Sequence, residues 1–186
     1  MSSNTESSIG TTTTKRFVAP NLYVSGLGCL FLVLSQVRQM GWLALDSVIE
    51  EADQPHSLFH RIEPPLPEPY RDFVLDILRV MLELHNDLES LQTYAESAIY
   101  SMKNDEFDES LLRTLWLPLW AFYKDCPPLL ACEFGRQAIP VRYKPGYDAL
   151  QKLLQAYSSS HFEQTQEGQA GLTAAVSAFM ASIRAE

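Results

Sequence analysis

The chain has 186 residues, 46% of them hydrophobic and 20% charged, with a net charge of −9. That length supports one domain with a real core, and the composition is that of an ordinary globular protein. The negative charge argues against nucleic acid or an anionic membrane surface as a partner, because phosphate repels it.

Residues 1–16 are rich in Ser, Thr, Asn and Gly and read as a disordered tail. A long first helix is predicted from about Leu22 to Glu51. Its apolar stripe, Leu27, Leu30, Leu34, Val37, Gly41, Leu45 and Val48, steps by three and four. Gly41 lies on the stripe at a cost of about 1 kcal/mol against Ala, which marks either close approach of another backbone or a tolerated glycine. Arg38 and Asp46 are eight apart, so one straight helix holds them about 12 Å apart along its axis and about 80° apart around it. They cannot pair there, and each is free to meet something else. Phe17–Val37 carries no charge, but only Leu27–Leu34 is strongly apolar. A span needs about 20 apolar residues, so a buried helix is expected rather than a membrane span.

Asp53-Gln54-Pro55 ends this helix. His56–Pro69 carries four prolines, Pro64, Pro65, Pro67 and Pro69, and reads as a stiff strap. His56 and His60 lack a third ligand, so no metal is expected. Helices follow at about 69–85 and 87–102, with Asn86 and Glu89 as a capping box between them. After an acidic loop, Lys103–Glu109, a helix at about 109–123 carries Trp116 and Trp120 as core or a partner groove. Pro118 should kink or break it. A helix at about 127–138 holds Cys132, Glu133, Phe134, Gly135 and Arg136, with Glu133 and Arg136 spaced for a local ion pair. Pro140–Gly146 reads as an extended link, 147–157 as a helix, 158–168 as a polar loop, and 170–184 as a small-residue helix. The predicted class is all-α, a helical domain of about six to seven helices over 17–157 with a loop and C-terminal helix after it.

No enzyme motif is present: no glycine-rich phosphate loop, no GxSxG and no HExxH. No cofactor is expected. Cys29, Cys126 and Cys132 form neither a CxxC pair nor a disulfide framework and read as reduced thiols. Cys132 could act as a nucleophile only with a neighbouring base, for which His85 and His161 are the candidates.

Two stretches carry a resemblance. RQMGWLALDSVIEE, with Pro55, Phe59 and DFVLDILRVMLELHNDLESLQTYAESAI after it, resembles the cytoplasmic part of the MotA family of flagellar motor stators. PPLLACEFGRQAIPVRYKPGYDAL resembles the same family's later segment, with matches at Pro128, Ala131, Glu133, Phe134, Gly135, Arg136, Pro145, Tyr147 and Leu150. The two stand in the family's order. The resemblance implies a cytoplasmic location beside the inner membrane and a non-catalytic role. It implies docking to a FliG-like rotor protein, to a stator or other machine subunit, or to further copies of the chain. It makes Arg38 and Asp46 the partner-binding residues, and Gly41, Glu133, Phe134, Gly135, Arg136 and Pro145 structural ones. Family members also have four membrane helices. Two of them should precede residue 20, and two should fall between residues 103 and 111, where this chain offers only short polar stretches. Without them no ion is conducted. The alternative is an adaptor of another envelope or secretion machine, with the Trp116/Trp120 face as its interaction surface.

Overall fold

A computed structural model of the protein describes residues 7–84 and 87–162. Among them are seven α-helices and no strand: α1 Ser7–Met40, α2 Ala44–Glu50, α3 Glu68–Glu83, α4 Leu88–Met102, α5 Glu106–Tyr123, α6 Pro128–Ala138 and α7 Tyr147–Phe162. The all-α class holds. Helix α1 reaches back to Ser7, so the expected tail is helical from that residue on. Helix α7 continues to Phe162, into the expected polar loop, and the helix predicted at 170–184 lies outside the described residues.

Helix α1 is the centre of the molecule. Every residue from Leu22 to Leu34 is buried, the stripe positions and those between them alike. A helix apolar on all sides must be covered on all sides, and α5, α6 and α7 all pack against this one. The expected one-sided stripe is therefore corrected to a helix enclosed all round. Leu22–Met40 is long and apolar enough to cross a membrane, and 78% of that window is buried inside the domain.

The first helix is not continuous to Glu51. It stops at Met40, and Gly41 takes φ +84° with nothing within 4 Å of where a Cβ would stand. Its N–H donates to the Val37 carbonyl at 2.8 Å. That is a left-handed C-terminal cap, the conformation in which glycine avoids the Cβ penalty. Gly41 is neither a close-approach site nor a merely tolerated glycine: it makes a turn, and the chain restarts in a new direction as α2. Leu45 and Val48 are still buried, because the restart keeps the stripe in phase.

The proline-rich strap buries Leu58, Phe59, Ile62 and Leu66 before α3 begins. The cap of α4 is Asp87 rather than Asn86, its carboxylate accepting from the Ser90 N–H at 3.0 Å. Asp105 caps α5 in the same way through the Asp108 N–H at 2.9 Å. Most of the acidic loop is thus the first turn of α5. The buried Asp108 carboxylate accepts from the Tyr70 hydroxyl at 2.7 Å, which ties α3 to α5.

Pro118 neither ends α5 nor splits it, since the helix runs through to Tyr123. Its ring has no N–H to offer the Thr114 carbonyl one turn earlier. Helix α6 crosses at this place. A Cβ on Gly135 would sit 2.6 Å from the Thr114 oxygen, 2.7 Å from Pro118 Cγ and 2.7 Å from Leu27 Cδ2. At Gly135, α6 meets the Thr114 backbone and the Pro118 ring of α5 and the Leu27 side chain of α1.

Candidate functional site

The sequence motifs resolve into two places. The first is the crossing around Gly135. Arg136 grips Glu133 with two hydrogen bonds of 2.6 Å, Nε to Oε2 and Nη2 to Oε1, and donates through Nη1 to the Pro145 carbonyl at 2.8 Å. Gln137 donates to Glu133 Oε1 at 2.7 Å, and Lys144 Nζ donates to the Gln137 carbonyl at 2.9 Å. These bonds fasten the 139–146 link back onto α6. The fork of a guanidinium matches a carboxylate in this bidentate way. Burial pushes the Glu133 carboxyl up, but the Arg136 and Gln137 bonds outweigh it and hold it below the ordinary glutamate value of 4.5. With side chains 13% and 18% exposed, Arg136 and Glu133 have little surface to offer a partner. They hold the 139–146 link on α6 instead, with Gly135 and Pro145 buried beside them.

Cys132 lies on the inner face of α6, and its thiol donates to the Leu27 carbonyl at 3.7 Å. Burial pushes that thiol well up, and Cys29 to about 12. A nucleophile needs the opposite shift and access to solvent. Among the described residues no three His, Cys, Asp or Glu side chains gather as a metal site. His56 instead faces Glu51, with Nε2 to Oε2 at 3.4 Å.

The second place is the corner between α1 and α2. Arg38 lies in the last turn of α1, where a cation complements the helix dipole. Asp46 lies in the first turn of α2, where an anion does, and it is exposed. The Gly41 cap turns the chain between them, so the straight-helix geometry expected for this pair does not hold. Arg38 is not free either. Its Nη1 donates to Asp125 Oδ1 at 2.6 Å, with side chains 50% and 86% exposed.

Asp125 sits there because α5 ends in a left-handed cap of its own. Asp125 has φ +68°, its N–H donates to the Phe122 carbonyl at 2.8 Å, and the Cys126 N–H donates to the Ala121 carbonyl at 3.1 Å. This is a Schellman ending with Asp in the place glycine usually takes. Two helix ends thus meet, and the ion pair joins them. Beside it, Trp42 rests on Phe122 and Tyr123, with ring centroids 5.9 and 6.0 Å away. Trp42 is still 44% exposed, Met40 69% and Leu43 83%.

Of the two tryptophans proposed as a surface, Trp116 is 2% exposed and belongs to the core. That part of the expectation is corrected: α5 is buried around most of its circumference, so the i, i+4 spacing does not put both rings outside. Trp120 is half-buried. Its ring meets Phe134 at 6.0 Å, and Lys124 Nζ stands 4.5 Å above it. Phe134 and Leu130 extend this apolar edge along α6.

Sequence reasoning missed Asp125 and the exposed Met40, Trp42 and Leu43. The signal for the last three was present: a glycine after a helical run is a C-terminal cap, and a cap leaves the residues around the turn exposed. No signal marked Asp125, because its partner is 87 positions away in the chain. No family model, no curated protein and no solved structure matches this chain.

Proposed function

We propose that this protein is a non-catalytic docking module, similar in role to the cytoplasmic domain of flagellar stators, and that the α1–α2 corner is its docking surface. The observation that carries the reading is the corner itself. Exposed charges of both signs, Arg38 and Asp46, stand on either side of a turn fixed by Gly41. Exposed apolar side chains lie between them, with Trp42 anchored on α5. Charges held on rigid helix ends steer an oppositely charged partner and release it quickly, while the apolar residues supply contact area. The partner is a FliG-like rotor domain at the cytoplasmic face, and docking there without ion conduction acts as a brake or a decoy on the motor.

The test is binding of the purified protein to the C-terminal domain of a FliG rotor protein from the same source, at low and at high salt, with Arg38→Glu alongside. Exposed charge contacts are screened within about 8–10 Å at ordinary ionic strength. Binding that weakens with salt and is lost in Arg38→Glu supports the reading. Binding that tolerates salt and is lost in Trp120→Ala moves the protein to an adaptor held by the Trp120–Phe134 edge. No binding at high micromolar concentration removes the rotor as partner.

A further inference from the structure

Resting on that reading, we infer that Asp125 is an internal competitor for the docking site: it occupies Arg38 in the free protein, and a partner's carboxylate replaces it on binding. The chemistry that Arg38 accepts is already on display, since a carboxylate from 87 residues away is held on its Nη1 at 2.6 Å. The geometry shows how this internal carboxylate is kept in place. Asp125 is in the left-handed region at φ +68°, fixed by the hydrogen bonds that close α5. That conformation is open to Asp, Asn and Gly but strained for most residues.

The setting makes the pair replaceable. Both side chains are substantially exposed, at 50% and 86%, and an exposed ion pair is worth little against water. Compare Arg136, whose three bonds are sheltered and include a backbone carbonyl. Lys124, the next cation along, lies over the Trp120 ring. Exposed Trp42, Met40 and Leu43 flank the pair, so a segment that brings a carboxylate to Arg38 meets apolar surface at the same time. The partner chemistry is therefore an acidic residue next to apolar ones. Once displaced, the Asp125 charge stays close by and repels the incoming carboxylate, so the internal residue weakens docking twice over.

The experiment uses the full chain and the C-terminal domain of the FliG rotor protein, with four proteins: wild type, Asp125→Asn, Arg38→Glu and Glu89→Gln. Glu89 lies in the first turn of α4, and its variant matches the charge change of Asp125→Asn. Asparagine keeps the left-handed conformation, and Asp125→Gly serves as a second variant that suits it better still. Asp125→Asn and Asp125→Gly should bind about two- to fivefold more tightly than wild type, the range an exposed pair can impose. Glu89→Gln should bind like wild type. Binding by wild type that is lost in Arg38→Glu but unchanged in both Asp125 variants, or raised equally by Glu89→Gln, overturns the competitor and leaves the docking site standing. Absence of binding by all of them overturns both.

Discussion

The crossing at Gly135 and the corner at Gly41 are made of the same parts. Each has a glycine, an arginine nearby in sequence, a carboxylate for that arginine, and an aromatic ring. At the crossing the glycine is there to be touched, with three groups of α1 and α5 within 2.7 Å of where a Cβ would be. At the corner it is there to turn, with nothing within 4 Å. At the crossing the arginine is 13% exposed and holds its own helix neighbour; at the corner it is 50% exposed and reaches a residue beyond the end of another helix. One arrangement is sheltered inside the fold and the other is paired at the surface. The difference teaches that such motifs divide by burial, not by letters.

Substitution can break this contrast at either end. The largest effect belongs to Gly135→Ala. Two of the three contacts it forces are with Thr114 backbone and a proline ring, which cannot swing aside, so a loss of about 3 kcal/mol is expected, read as a shift in the urea midpoint. If Gly135→Ala melts like wild type, the close crossing is not what holds α5 and α6. Gly41→Ala adds a methyl into open space and costs only the left-handed conformation, about 1–2 kcal/mol. It should fold normally but dock less well, because strain at the turn shifts Arg38 relative to Asp46.

A smaller effect distinguishes the two ion pairs by pH. The folded-state value of Glu133 is lowered, so its contribution is fully present above the unfolded value of 4.5 and is lost as pH falls through the folded one. Wild type should lose melting temperature more steeply than Glu133→Gln as pH drops below 4.5. Parallel curves would mean that the Arg136 clamp adds nothing to the fold. The smallest effect is Arg38→Gln, expected to change stability by less than about 0.5 kcal/mol while it weakens docking. A large loss of stability there would make the corner pair structural and cancel the contrast.

How much of the molecule was legible in its sequence divides along the same line. Helix existence was readable at nearly every segment, because stripes such as Phe73, Ile77 and Met81 are local patterns, and all three residues are buried. The break at Gly41 was not readable from periodicity. Leu45 and Val48 resume burial in phase with Val37, so one helix and two helices give the same stripe. Pro118 misled in the other direction. Its cost to α5 is local, whereas the packing of α1 and α6 against the helix that contains it is a tertiary term no window can see. Trp116 was ambiguous because period identifies a face, not what covers that face. Asp125 was invisible, since only the folded chain brings the ends of α1 and α5 together.

The enclosure of α1 has a consequence for the chain while it is being made. Residues 22–34, buried on every side in the folded domain, leave the ribosome before the helices that enclose them. The strap reaches α1 through Leu66, but most of the cover, α5, α6 and α7, begins only at Glu106. More than half of the described sequence must therefore be synthesised before the central helix can be fully wrapped, and for that interval its apolar surface is open to other chains.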